Sequence, residues 1–252
     1  MTLAEAGLLV AAGLGAGLVN GIAGGGSLIS FPVLMASGQS ALVANVTSTV
    51  GIWPGYLGGV AGYRSELAGQ RDRIRRLVPV SIGGALVGSA LLLTTPEDAF
   101  AAAAPFLILF ACALFALQPV LAARLRSGSD PGSEVRASRP LLAGVFAASV
   151  YGAYFGAGLG VVLLAVLGAT VVDLLVRLNG LRGVLALIVN SVALVVFVVA
   201  APVAWGAAGV MAGASLLGGY AGARLARRVP SAVLRVVVVC FGVTAALRLL
   251  LS

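Results

Sequence analysis

The sequence contains no lysine and no histidine, and it has few charged residues of any kind. Of its 252 residues only 10% are charged while 60% are hydrophobic, and the mean hydropathy is +1.11. So little polar surface cannot cover a water-soluble globule. The composition therefore excludes a soluble domain and predicts a chain whose main solvent is lipid.

The missing histidine and the scarcity of acids also exclude most catalytic chemistry. No Ser/His, Cys/His or paired-carboxylate set can be drawn, and metal ligands are poor. The only cysteines, Cys112 and Cys240, lie within apolar runs and are expected to be buried free thiols. A phosphate-binding Gly-x-x-x-x-Gly-Lys motif is absent as well. The sequence therefore predicts neither an enzyme nor a metal or cofactor site.

The net charge of +8 comes from sixteen arginines and eight acids. On a soluble domain such an excess would suggest nucleic-acid binding. Here the arginines cluster between apolar runs, as the positive-inside rule expects of membrane proteins. We therefore expect the lipid bilayer as a partner and no nucleic acid.

Apolar runs follow one another almost from end to end, and a helix needs about 20 such residues to cross a membrane. Uninterrupted runs such as 236–239 favour helices over an alternating barrel. The only long hydrophilic stretch, 124–139, divides a single membrane domain into a first repeat (1–123) and a second repeat (140–252). The ten apolar segments are 3–22, 28–35, 41–62, 77–93, 99–123, 141–155, 159–172, 181–203, 204–223 and 232–251.

The two halves match when each residue is compared with the residue 134 positions later. Gly24 then falls on Gly158, Gly26 on Gly160 and Asn45 on Asn179. In both halves a glycine-rich break is followed 21 residues later by an asparagine. Each half thus consists of a broken apolar pair followed by three longer segments.

The arginine distribution decides between two topologies. If each broken pair turns back on itself, the second half is inverted and fifteen of sixteen arginines face the cytoplasm. If each pair crosses once, the halves are parallel and only ten of sixteen do. The sequence therefore predicts an all-α polytopic membrane protein with two inverted repeats of about five segments. The 124–139 linker would be cytoplasmic, and both termini and the acidic 94–98 loop would be outside the cytoplasm.

The most informative motif is the first glycine-rich break, which has four glycines between residues 21 and 26. Each costs a helix about 1 kcal/mol relative to alanine, so we expect the helix to unwind here and a short re-entrant half-helix to begin near Ser27. Its unpaired amides and macrodipole suit an anion even without a formal cation. The sequence YGAYFGAGLG at 151–160 contains a second glycine-rich break of the same kind. The alternative for these glycines is close helix packing.

Polar side chains near the breaks complete the candidate site. Asn45 and Asn179 can each cap the following helix or face a ligand, and Tyr154 can donate a hydroxyl. Arg182 is interpreted as topogenic, with attraction of anions to the cytoplasmic mouth as the alternative, and Asp173 and Arg177 are interpreted as an ion pair at a helix end. The predicted substrate-binding residues are Asn20, Gly24, Gly25, Gly26, Ser27, Asn45, Thr47, Tyr154, Gly158, Gly160 and Asn179.

The runs GLVNGIAGGGSLISFP at 17–32 and ANVTS at 44–48 resemble the sulfite exporter (TauE/SafE) family. The resemblance extends through the linker and the second break. It implies a permease of the bacterial cytoplasmic membrane for sulfite, thiosulfate, sulfoacetate or related organosulfonates, often an exporter. It also implies sites at both breaks, although Leu159 and Val161 replace small or polar positions in the second. Transport of another ion, such as a metal cation, a non-transporting assembly role and a homo-oligomer stay open.

Overall fold

The computed structural model describes residues 2–126, 138–225 and 231–251, which form ten α-helices and no strand. Five of the helices, α1, α4, α5, α8 and α10, are long and apolar enough to cross a membrane. The expected all-helical membrane class is confirmed at this level. The helices are α1 (Leu3–Ile22), α2 (Ser27–Ala36), α3 (Ala41–Gly62), α4 (Arg71–Thr94), α5 (Glu97–Arg126), α6 (Arg139–Tyr154), α7 (Leu159–Thr170), α8 (Leu175–Ala200), α9 (Trp205–Leu225) and α10 (Ser231–Leu251).

The ten helices follow the ten apolar segments, but two of them begin six residues earlier than the apolar runs. These are α4, which begins at Arg71, and α8, which begins at Leu175. Arginine is a good helix former, so a helix does not stop where its hydrophobic stretch stops. As a consequence, Arg182, the second residue of the predicted 181–203 segment, is the eighth residue of α8 and lies well inside the helix.

The order and packing of the helices repeat between the two halves. Helices α3, α4 and α5 begin 134 residues before α8, α9 and α10, respectively. Helix α9 packs against α1 and α3, and α4 packs against α6 and α8, which are the corresponding helices of the other half. Each half therefore buries its fourth helix against the first and third helices of the other.

The corresponding helices α3 and α8 run antiparallel. Trp53 of α3 donates a hydrogen bond to Ser191 of α8 over 2.8 Å, while Tyr63, ten residues later, lies beside Gly180, eleven residues earlier. Val60 lies beside Gly183 between these two contacts. Residue numbers in α3 rise as those of their partners in α8 fall, so the two helices point in opposite directions.

The short helices α2 and α7 turn back along the helices that precede them. Gly26 at the start of α2 lies against Ala16, and Ile29 lies against Gly15. In the second half, Leu159 packs on Gly152. The α1–α2 and α6–α7 pairs are thus hairpins with a tight turn at the glycines, which matches the predicted re-entrant geometry.

Two further expectations concern the cysteines and the linker. Cys112 is a buried free thiol, as predicted, but Cys240 is exposed on the outer face of α10. An apolar run is not the same as a buried one, because a membrane helix also presents apolar residues to lipid. Most of the linker, residues 127–137, lies outside the described residues.

Candidate functional site

The first break separates α1 from α2 with four residues, of which Gly24 has a positive φ of 81°. The side chain of Asn20 stabilises this turn, because its Oδ1 accepts a hydrogen bond from the amide of Gly26 over 2.7 Å. The amides of Gly25 and Ser27 make no hydrogen bond with any described residue. The helix therefore unwinds where the sequence predicted, and leaves backbone donors available in the interior.

The second break separates α6 from α7, and both Gly156 and Gly158 have positive φ there. The hydroxyl of Tyr151 donates a 2.6 Å hydrogen bond to the carbonyl of Ala157 and thereby holds the turn from the preceding helix. Gly158 is the N-cap of α7 and has no side chain to cap it. A tyrosine side chain stabilises this break, whereas an asparagine side chain stabilises the first.

The two breaks touch each other in the interior. The amide of Gly160 donates a 3.0 Å hydrogen bond to the carbonyl of Gly24. A Cβ atom placed on Gly24 would lie only 2.5 Å from the Cα of Gly160. Both positions must therefore be glycine for the two backbones to come this close.

A guanidinium group lies at this crossing. Arg182, the eighth residue of α8, is only 2% exposed, and its Nη1 lies next to both Gly24 and Gly160. This nitrogen has no hydrogen-bond partner among the described residues. The titratable groups close enough to influence it are the hydroxyls of Tyr56 and Tyr63, and neither carries a negative charge at neutral pH. The site therefore contains a buried cation without a counter-ion in the described part of the chain.

Two further polar side chains lie near this cation. The Tyr56 hydroxyl lies close to Arg182 and to Asn20, and the Nδ2 of Asn20 is buried without a hydrogen-bond partner among the described residues. The ring of Phe115 on α5 lies directly over Gly25. A buried cation next to an unpaired donor favours a small group with several acceptor atoms and negative charge.

Comparison with known proteins gives the chain a family. The family model described as "Sulfite exporter TauE/SafE" matches residues 9–249, nearly the whole chain. The chain belongs to the sulfite exporter TauE/SafE family. Neither the curated proteins nor the solved structures gave a match. Membership of TauE/SafE, a transporter family, agrees with the apolar helices and with the expectation of membrane transport.

In this TauE/SafE chain, the structure brings together the predicted residues of the breaks. Gly24 and Gly160 adjoin Arg182, Asn20 is hydrogen-bonded to Gly26 in the same turn, and the Ser27 hydroxyl faces Gly156 of the second break. The remaining residues of the predicted set at the breaks, Gly25, Gly26 and Gly158, form the turns themselves.

The other predicted residues make structural contacts instead. Asn45 donates to the carbonyl of Tyr154 over 3.0 Å, and Thr47 accepts from the amide of Ala204 over 3.0 Å. Asn179 donates to Leu175 within its own helix, and the Tyr154 hydroxyl is directed to Thr95. The suggestion that both asparagines cap helices is wrong, because α3 and α8 begin one turn or more before them.

The sequence interpretation of Arg182 as a topogenic residue missed its position at the site. Arg182 follows Asn179 by three residues, and Ser48 follows Asn45 by the same interval. Comparison of the two halves could therefore have indicated Arg182, because one half has an arginine where the other has a buried serine. That serine is hydrogen-bonded to Ser30 of α2.

An ion-pair cluster lies at the start of α8, away from the glycine crossing. Asp173 pairs with Arg177 at 2.9 Å, as predicted, and also with Arg73 of α4 at 2.8 Å. Partial burial by itself would raise the pKa of Asp173. The hydrogen bonds from Arg73, from the Leu174 amide and from Arg177 outweigh burial and lower that pKa below its ordinary value. The cluster ties the segment before α8 to the start of α4.

Proposed function

We propose that the protein is a permease that moves small sulfur-containing anions, such as sulfite, thiosulfate or sulfoacetate, out across the bacterial cytoplasmic membrane. The observation that carries the proposal is the crossing of the two breaks. It combines the Gly24 and Gly160 backbones with two buried unpaired donors, Asn20 Nδ2 and Arg182 Nη1. Family membership supports transport of this kind.

The proposed mechanism is alternating access between two inverted repeats. It is supported by the antiparallel α3–α8 pair, because corresponding helices point in opposite directions only when one repeat is inverted relative to the other. The hairpin form of both broken pairs supports the topology in which fifteen of the sixteen arginines face the cytoplasm. In that topology both termini and the 94–98 loop face away from the cytoplasm.

The burial of the site also supports a mechanism with moving halves. Asn20, Ser27 and Arg182 are all buried, and the ring of Phe115 covers Gly25. An anion can reach these donors only after helices of the two halves separate on one side of the membrane. The arrangement thus corresponds to an occluded state between inward and outward access.

A flux measurement with a matched pair of variants tests this function. Purified protein in lipid vesicles is expected to pass sulfite, thiosulfate or sulfoacetate. Gly25→Leu is expected to abolish the flux, because a side chain there meets the Phe115 ring in the occluded site. Gly213→Leu serves as the control, since Gly213 on α9 has open space around it.

The outcome that contradicts the proposal is also direct. Wild-type vesicles that pass none of these anions would remove the permease function. Flux inhibited by metal cations and not by oxyanions would assign the pathway to a cation. If Gly25→Leu remains folded and its flux equals that of Gly213→Leu, the first break takes no part in the mechanism.

A further inference from the structure

We propose that Arg182 is the charge-selecting residue of the pathway and that it makes the site bind a doubly charged oxyanion in preference to a singly charged one. This inference rests on the proposed permease function and names the substrate class of that same site. It starts from the position of the guanidinium, whose Nη1 contacts both breaks where their backbones cross. The sulfur anions differ in charge, so a fixed cation at this point can discriminate among them.

The burial of Arg182 separates this role from a structural one. An arginine that only ties helices together donates its hydrogens to carbonyls or carboxylates, but Nη1 donates to no described residue. An arginine that only sets topology lies at the membrane surface, whereas this one is 2% exposed. A buried charge without a partner is strongly unfavourable, and arginine cannot lose its proton to relieve it. A bound anion supplies the missing charge.

A second unpaired donor lies one side chain away from the guanidinium. The Tyr56 hydroxyl is close to Arg182, and Asn20, which is 93% buried and has an unpaired Nδ2, lies beside that hydroxyl. No carboxylate of the described residues is among the groups that influence Arg182. A ligand with oxygen atoms on several sides satisfies such a set, and a spherical halide does not offer the directed acceptors that these hydrogens need.

A charge count shows which group sets the charge of the crossing. The N-termini of α2 and α7 contribute roughly half a positive charge each, and the C-termini of α1 and α6, which end at the same two breaks, contribute roughly half a negative charge each. These helix-end charges cancel, so the guanidinium supplies the net positive charge. Its attraction to a dianion is twice its attraction to a monoanion at the same distance.

Only one half contributes a cation. The position equivalent to Arg182 in the first half is Ser48, which is hydrogen-bonded to Ser30 and not to the crossing. The two breaks therefore share a single guanidinium, and each chain is expected to bind one dianion.

Thermal melting of the detergent-solubilised protein tests the inference with two probes, thiosulfate as the dianion and methanesulfonate as the monoanion. Wild type is expected to be stabilised by thiosulfate and much less by methanesulfonate. Arg182→Gln is expected to bind thiosulfate about 10- to 150-fold more weakly, as for loss of a hydrogen bond to a charged group, with a smaller loss for methanesulfonate. Without an anion, this variant is expected to melt at or above the wild-type temperature, because an unpaired buried charge is gone.

Two further variants provide the controls. Arg71→Gln removes an exposed positive charge from α4 and is expected to bind both probes as wild type does. Arg182→Lys keeps the charge without the planar fork, so it is expected to keep the dianion preference at reduced affinity. A structural role for Arg182 would change stability in all conditions but not the ratio between the two probes.

The inference is overturned if folded Arg182→Gln binds thiosulfate with wild-type affinity. Equal binding of the two probes by the wild type overturns it as well, and that measurement needs no variant. Its failure is distinguishable from failure of the permease proposal. Arg182-dependent thiosulfate binding without flux in vesicles would reject only the permease, and flux with no charge preference would reject only the role of Arg182.

Discussion

Replacement of Gly24 by alanine measures how much the contact between the two breaks contributes, provided that the backbone strain is subtracted. Gly38, in the turn after α2, supplies that control. Its φ of 84° is close to the 81° of Gly24, but nothing lies within 4 Å of a Cβ added there. Alanine at either position costs about 1–2 kcal/mol for the left-handed conformation. Any additional effect at Gly24 comes from the neighbours that its new methyl group meets.

Both neighbours lie closer to the added methyl group than ordinary van der Waals contact allows. The methyl group at Gly24 would lie 2.5 Å from the Cα of Gly160 and 2.8 Å from the Nη1 of Arg182. Overpacking of this kind costs typically about 1–3 kcal/mol. Gly24→Ala is therefore expected to lose about 2–5 kcal/mol in total, against about 1–2 kcal/mol for Gly38→Ala.

The assay combines thermal melting in detergent with anion flux in vesicles. For a chain of this size, about 1–3 kcal/mol of additional destabilisation corresponds to a melting temperature roughly 2–12 °C lower for Gly24→Ala than for Gly38→Ala. Gly24→Ala is also expected to lose flux, while Gly38→Ala retains it. Equal melting temperatures and equal flux in the two variants would refute the close backbone contact.

Two further predictions concern polar contacts. Asn45→Ala is expected to lower the free energy of unfolding by about 1 kcal/mol more than Asn179→Ala. The reason is that Asn45 donates a hydrogen bond to Tyr154 in the other half, whereas Asn179 donates one within its own helix. Equal melting temperatures for the two variants would contradict this. The lowered pKa of Asp173 means that its carboxylate stabilises the fold at neutral pH, and that this contribution disappears as the pH falls below about 4 toward the folded-state pKa. Asp173→Asn is therefore expected to melt at a lower temperature than wild type at pH 7, and the difference between the two melting temperatures is expected to shrink in acid. A difference that is independent of pH would show that the ion pairs with Arg73 and Arg177 do not contribute to stability.

Much of the fold could be predicted from the sequence, since the physical causes were local. Three consecutive glycines at 24–26 make a continuous helix unfavourable, so the start of α2 at Ser27 followed from the sequence alone. The ten segments were found because lipid requires long apolar runs. Helix starts at Arg71 and Leu175 were missed, because hydrophobicity marks what lipid covers and not where helical hydrogen bonding begins.

The composition of the site was less predictable, because it depends on contacts between distant parts of the chain. Asn45 and Thr47 lie close to the first break in the sequence, which made them candidates for the site. In the folded chain the side chain of Asn45 is hydrogen-bonded to Tyr154 and that of Thr47 to Ala204. Arg182 was dismissed because an arginine near an apolar boundary usually marks the cytoplasmic side. Only the antiparallel packing of α8 against α3 brings it to the glycines.

The hydrogen bond between Gly160 and Gly24 joins the main chains of the two halves with no side chain in between. Side chains elsewhere in an interface absorb small shifts by changing rotamer, but two peptide groups in direct contact have no such freedom. A displacement of one half must therefore either move the other half at this point or break the hydrogen bond between Gly160 and Gly24.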